Sequence, residues 1–338
     1  DYLFLDIEGI DAEVILSFDL NRYDIQNIQI EHLHLGGNAE AVNAKFIDAG
    51  YVVANAIGSS GFDTMFTKSV KGEVVGDEAN AVQGRKIYDC FPFFNELDLL
   101  EIRLNVTSPY VDYWVISESN KTHSGVDKPF YLKDNLARFE KFKDRIIIVN
   151  YEHLGGSAWN TENESRNCIG RYLSEIASPN DVVILSDCDE IPNLAKVDFS
   201  SNKKQRLEMY LFYYYLNCYD SAGWRGSVVF NVQTLKNSTA HQQRYADDSD
   251  EVLIKEAGWH WSYCGGAQKI KAKLEAYAHQ EYNTDEFKDV EKIASLIEKG
   301  EDVLGRGGKY TFVPMDERYP EYILNNINNY HHLIRKLC

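Results

Sequence analysis

Short apolar runs alternate with stretches of helical period along most of the chain, and several of the runs end in acids. The clearest is Val182, Val183, Ile184 and Leu185, which reads as a buried strand and stops at Asp187, Cys188, Asp189 and Glu190. Upstream, the same pattern predicts strands over residues 86–91, 111–117 and 146–151. Helices are predicted over 95–105, with Leu97, Leu100 and Leu104 inward, and over 161–177, with Ile169, Leu173 and Ile176 inward. Downstream, residues 207–219 and 227–235 read as further strands. Residues 236–250 read as a polar, turn-rich loop over an active site, and residues 266–281 and 285–299 as helices. Strands alternating with helices predict an α/β fold built on a mainly parallel, doubly wound sheet.

Residues 1–67 repeat this alternation on a smaller scale. Strands are expected at 2–5, 25–31, 51–56 and 62–67, with helices at 11–18 and 39–49, the second closed by Gly50. Residues 68–85 are polar and without period, which predicts a linker between domains at 1–67 and 86–338. The net charge of −17 argues against nucleic acid or an anionic membrane as partner. Most of the acidic excess falls in the first 84 residues, which sets that quarter apart. No apolar run approaches the ~20 residues of a membrane span. No basic segment followed by an apolar one opens the chain, so the expected location is cytoplasmic. The six cysteines form no Cys-x-x-Cys pair, and neither zinc nor a disulfide framework is expected.

On an extended backbone, residues two apart project to the same side. Asp187 and Asp189 are therefore expected to converge at the carboxyl end of their strand, where open α/β sheets bind ligands. Two hard oxygen donors suit Mg²⁺ or Mn²⁺, and such a cation can hold a diphosphate. The plainer alternative is that the acids cap the following turn. Further polar clusters follow other expected strands: Phe91 to Glu96, Glu118 to Gly125, Glu164 to Asn167, and Gly258 to Tyr263. Each has an explanation as cap, turn or ion pair, but their shared placement favours a site. Tyr210, Tyr213, Tyr214, Tyr215 and Tyr219 read either as a sugar-stacking wall or, more commonly for such residues, as core and sheet surface.

Taken together, six stretches resemble glycosyltransferase family 17 over roughly residues 86–338. They are YDCFPFFNELDLLEIRLN (88–105), VISESNKTHSG (115–125), ESRN (164–167), ILSDCDEIP (184–192), AGWHWSYCGG (257–266) and KLEAYAHQEYN (273–283). The resemblance implies a GT-A-type, Rossmann-like domain that takes a nucleotide sugar, foremost UDP-GlcNAc. It further implies Mn²⁺ (or Mg²⁺), inversion at the anomeric carbon and a glycan hydroxyl as acceptor. Carried onto this chain, it implies Asp187, Asp189 and His260 as metal ligands. Asn95, Glu96, Ser119, Arg166, Asn167, Ser186 and Trp259 become candidates for binding the donor. Inversion in one displacement needs a general base; Glu190 is the first candidate and Glu118 the second. Structural alternatives stand beside these: His260 packed between Trp259 and Trp261, Arg166 paired with Glu162 or Glu164, and Glu190 as a turn cap. A glycoside hydrolase with paired carboxylates and a non-catalytic carbohydrate-binding protein are the competing functions.

The first region is similar to something else, the C-terminal half of an FkbM-type S-adenosylmethionine-dependent methyltransferase. The stretches that carry this are FLDIEGIDAEVILSFDL (4–20), IQNIQIEH (25–32), GYVVAN (50–55) and DTMF (63–66). The earlier strands of that family and its Gly-rich cofactor turn have no counterpart in this sequence. A partial Rossmann-like segment that does not bind S-adenosylmethionine is therefore expected.

Overall fold

A computed structural model describes residues 84–246 and 248–337 continuously. In the first 83 residues it describes 2–5, 11–18, 20, 27–31, 39–49, 51–54 and 63–68. The chain divides into two compact units, Asp1–Glu78 and Ala79–Cys338. Residues 69–83 of the expected linker lie outside the described residues.

In the N-terminal unit, β1 (Tyr2–Leu5), β2 (Asn27–Glu31), β3 (Tyr51–Ala54) and β4 (Asp63–Lys68) form one sheet in the order β1-β2-β4-β3. β1 and β2 are parallel, whereas β4 runs antiparallel to both of its neighbours. Helices α1 (Asp11–Ser17) and α2 (Ala39–Asp48) touch, and Ile15, Val42 and Phe46 are buried. Asp6, Glu8, Gly9, His32 and Gly50 lie outside the described residues.

The C-terminal unit begins with β5 (Ile87–Pro92), α3 (Leu97–Thr107), β6 (Tyr113–Glu118), α4 (Tyr131–Asp134), β7 (Ile146–Asn150), α5 (Ala158–Ile176) and β8 (Val182–Leu185). It continues through β9 (Glu190–Pro192), β10 (Gln205–Leu207), β11 (Met209–Tyr213), β12 (Cys218–Trp224), β13 (Val228–Asn231), α6 (Ala240–Tyr245) and β14 (Val252–Ile254). Then follow β15 (Gly258–Ser262), α7 (Ala267–Ala276), α8 (Asp285–Lys288), α9 (Val290–Lys299), β16 (Thr311–Phe312) and α10 (Glu321–Asn325).

One sheet has the order β14-β10-β13-β8-β5-β6-β7. Its β8-β5-β6-β7 part is parallel, as expected from the helices between those strands. β13 joins β8 antiparallel and β10 joins β13 antiparallel, so this sheet is mixed. A second, five-stranded sheet, β16-β12-β11-β15-β9, was not anticipated. The stretch read as one strand over 207–219 is broken because Tyr214 takes a left-handed conformation (φ 67°), folding β11 and β12 into an antiparallel pair.

The period-2 alternation of the parallel strands appears directly in the packing. Phe91, Trp114, Ile116 and Ile184 enter one core together with Leu100 and Leu104 of α3. Cys90, Val115, Val183 and Leu185 enter the other with Ile169 and Leu173 of α5. Burial of each such large side chain contributes roughly 1.5–3 kcal/mol. With both faces covered, the strands end toward one edge, where the polar clusters gather. Among the described residues no helix is long and apolar enough to cross a membrane.

Candidate active site

β8 leaves its sheet at Leu185 and the chain enters β9, in the second sheet, at Glu190. The link is a turn, in which the Glu190 N–H donates to the Asp187 carbonyl at 3.0 Å. Asp187 and Asp189 thus stand on a turn and not on an extended strand, and their carboxylates have different partners. Asp187 accepts from Arg166 Nη2 at 2.6 Å and from Arg244 Nη2 at 2.9 Å. Asp189 accepts from Lys273 Nζ at 2.9 Å through Oδ2, while its Oδ1 lies 3.6 Å from His260 Nε2. Arg103 holds the turn from behind. It is fully buried against Asp89, and its Nη1 donates to the carbonyls of Asp187 at 2.7 Å and Glu190 at 2.9 Å.

Both aspartates nevertheless line one cavity of about 630 Å³. Phe93, Phe94 and Glu96 after β5 form one wall, and His123 and Lys128 after β6 adjoin it. α5 contributes Trp159, Glu162, Asn163 and Arg166, and α6 contributes His241, Arg244 and Tyr245. His260 comes from β15 and Lys273 from α7. The two helices that carry the arginines lie directly on each other: a Cβ placed on Gly170 of α5 would stand 3.0 Å from Cβ of Ala240 in α6.

The cavity is strongly polarised. Burial alone would raise the Asp187 carboxyl, but Arg166 and Arg244 outweigh it and hold its pKa at about 2. Asp187 is part-buried whereas Asp189 is buried, and Lys273 with His260 hold Asp189 well below the ordinary carboxylate range. Burial pushes His123 down to about 4, which keeps its ring neutral at pH 7. Nε of Arg166 and Arg244 and Nδ1 of His123, His241 and His260 are buried without a hydrogen-bond partner. Buried polar atoms left without a partner among the described residues are costly.

Of the residues singled out in the sequence, Glu96, Arg166, Asp187, Asp189 and His260 line this cavity. The two candidate bases do not. Glu190 is fully buried and both of its oxygens are engaged. Oε1 accepts from Arg244 Nη2 (2.7 Å) and Trp224 Nε1 (2.5 Å); Oε2 accepts from Arg244 Nη1 (2.9 Å) and the Ser227 hydroxyl (2.8 Å). It holds Arg244 in place instead of facing a substrate. Glu118, also fully buried, accepts the N–H groups of Leu132 (2.8 Å) and Lys133 (3.3 Å) at the start of α4, and burial lifts its pKa.

Four proposed donor contacts do not line the cavity and have partners within the protein. Ser119 accepts the Lys121 N–H, Asn167 accepts the His241 N–H at 3.0 Å, Ser186 receives Arg103, and Trp259 donates to the Arg318 carbonyl at 2.7 Å. Asn95 borders a separate small cavity beside the main one. None of the five clustered tyrosines lines the main cavity; Tyr213, for example, stacks on Tyr310 at 4.2 Å. The segment expected as a loop over the site does reach it, but as helix α6. Sequence reasoning missed Arg103, Trp159, Arg244 and Lys273, and it reached His123 only as a member of the Glu118 to Gly125 cluster. For Arg244 a signal existed: Thr239 and Gln242 form a capping box at the start of α6. Among the described residues no three acidic, histidine or cysteine side chains are gathered to hold a metal.

The family model for glycosyltransferase family 17 matches residues 74–338, a range that contains every residue of the cavity. The chain belongs to glycosyltransferase family 17. The human β-1,4-mannosyl-glycoprotein 4-β-N-acetylglucosaminyltransferase is 24% identical over 294 residues, covering 74% of this chain and 55% of the human protein. The rat and mouse proteins of the same name are each 23% identical over 294 residues, covering 74% of this chain and 54% of theirs. This family 17 chain therefore spans about half the length of the curated relatives it matches. Among solved structures, the inositol-1-phosphate CTP transferase from T. maritima is similar at 10% identity, over 54% of this chain and 86% of that one. Its TM-score of 0.28 is too low to define a shared fold.

Proposed function

We propose that the C-terminal unit is a GT-A-type, inverting glycosyltransferase that transfers GlcNAc from UDP-GlcNAc to a hydroxyl of a glycan acceptor, with a divalent cation. One observation carries this reading. Two buried arginines, Arg166 and Arg244, and the part-buried Lys273 line one cavity with Asp187 and Asp189 at the edge where the parallel strands end. Guanidinium groups at a cavity wall suit diphosphate oxygens. The names of the relatives support GlcNAc as the transferred sugar. An anionic leaving group also separates this reading from a glycoside hydrolase, which has no need of buried cations.

Asp189 and His260 are the residues that would hold the cation, with further ligands from the donor itself. Oδ1 and Nε2 lie 3.6 Å apart on one cavity wall, and Oδ2 is already satisfied by Lys273. Asp187 is occupied by two arginines and does not join them. The cation would neutralise charge on the departing UDP. Charge balance supports the pairing, because the three cations already face the carboxylates of Asp187, Asp189 and Glu190. A diphosphate arriving alone would leave the site short of positive charge.

The base falls to a carboxylate that faces the cavity. Glu162 lies one helical turn before Arg166 and pairs with it through Oε1 at 3.0 Å; its Oε2 accepts no hydrogen bond among the described residues. Glu162 takes the proton of the acceptor hydroxyl as that oxygen bonds to C1 of the sugar. The C1–O bond to phosphate breaks, and its electron pair leaves with UDP.

The test is release of UDP from UDP-GlcNAc in the presence of Mn²⁺, compared with EDTA. Asp189→Asn is expected to lower turnover about 100-fold, with the thermal melt little changed. Undiminished turnover in that variant would remove Asp189 from the mechanism. Failure to release UDP from any UDP-sugar would overturn the function itself.

For the N-terminal unit we infer a partial FkbM-type methyltransferase fold. The parallel pairing of β1 and β2 with helix α1 between them in sequence supports a Rossmann-like segment. Calorimetry with S-adenosylmethionine is expected to give no binding heat, and a micromolar dissociation constant would contradict that.

A further inference from the structure

We infer that α5 carries the acceptor subsite: a neutral pyranose ring of the acceptor rests against Trp159 and is hydrogen-bonded by Asn163. This rests on the reading of Arg166 as a diphosphate residue. Trp159, Glu162, Asn163 and Arg166 all line the cavity. Their spacing puts them on one face of the helix. At 1.5 Å of rise per residue, Trp159 stands about 10 Å from Arg166 along the axis. That span takes the donor hexose, hanging from its diphosphate, and then the ring that receives it. Glu162 lies between the two, where the acceptor hydroxyl must give up its proton.

The chemistry changes along this stripe from ionic to neutral. Arg166 is 3% exposed, whereas Trp159 is 41% exposed at the rim. Asn163 lines the cavity, and its Oδ1 has no hydrogen-bond partner among the described residues. The Trp159 indole N–H donates to no protein group among the described residues. Its ring meets His279 at 4.6 Å and 79°, and His279 in turn packs against Tyr277 at 5.4 Å. A pyranose presents C–H groups on its face and hydroxyls around its edge. An aromatic face flanked by unmade polar groups matches both.

Trp224 is the other exposed tryptophan of the cavity, but it has a different job. Its N–H is given to Glu190, and its ring lies 4.7 Å from His260, beside the proposed cation position. It belongs to the donor wall.

The test separates the acceptor from the donor. Saturation-transfer NMR with methyl β-mannopyranoside and with N,N′-diacetylchitobiose is run on the whole chain in the presence of UDP and Mn²⁺, and UDP affinity is measured by calorimetry. Binding of at least one saccharide is expected. Trp159→Ala and Asn163→Ala are each expected to weaken it about tenfold. UDP affinity and the thermal melt should stay unchanged in both variants, and Trp159→Phe should recover part of the loss. If UDP binds but neither saccharide does, or both variants bind saccharide like the wild type, the subsite is wrong and the donor reading survives. If UDP fails to bind while saccharide binding still depends on Trp159, the donor reading fails and the sugar site stands.

Discussion

Replacing Arg103 by methionine is expected to lower the free energy of unfolding by about 3–5 kcal/mol. Arg103 and Asp89 are both fully buried, and Arg103 Nε donates to Asp89 Oδ2 at 2.9 Å. Without the guanidinium, Asp89 becomes an unpaired buried carboxylate. The carbonyls of Asp187 and Glu190 also lose a shared donor at the turn that aims the two aspartates. Urea unfolding measures the first effect. The double variant Asp89→Asn, Arg103→Met separates it from the second, because it removes the unpaired charge but leaves the turn unbraced. Its stability should partly return while glycosyl transfer stays low. A single variant within about 1 kcal/mol of wild type, the size of an ordinary substitution, would show that Arg103 does not hold the turn.

Arg166→Gln and Lys273→Met are each expected to weaken UDP binding about 10- to 100-fold. Each removes charge-assisted hydrogen bonds worth about 1.5–3 kcal/mol. Both residues line the cavity, and each touches a different aspartate. Arg166→Gln leaves Asp187 with Arg244, so the fold should tolerate it. Arg244 is a poorer choice, because fully buried Glu190 depends on it through both oxygens. Calorimetry with UDP and Mn²⁺ gives the affinities, and a thermal melt of each variant checks folding. Unchanged affinity in both variants would place the diphosphate elsewhere in the cavity.

The parallel half of the large sheet was legible because its strands are uninterrupted apolar runs separated by helices with clear inward faces. Val182 to Leu185 announced where β8 stops. How the chain turns after Leu185 was not legible. That geometry is held by Arg103, which lies 84 residues before Asp187 and carries no periodic mark. The second sheet escaped notice because strands as short as Glu190–Pro192 and Thr311–Phe312 are too brief to display alternation. Acidic motif residues were easy to nominate, since carboxylates after a strand stand out. The cations that answer them come from helices, where Arg244 and Lys273 look like ordinary surface charge. Glu190 drew attention by adjacency alone, and adjacency in sequence is reversed by the turn, which sends its side chain inward to Arg244.

Gly170 has an effect out of proportion to its size. A glycine in mid-helix costs roughly 1 kcal/mol relative to alanine, yet here the absent methyl lets α6 settle against α5 at Ala240. Arg166 sits one turn from that point of contact on one helix, and Arg244 one turn from it on the other. A methyl at position 170 would press on Ala240 at 3.0 Å, so the spacing of the two helices that carry the guanidinium groups is gauged by an atom that is not there.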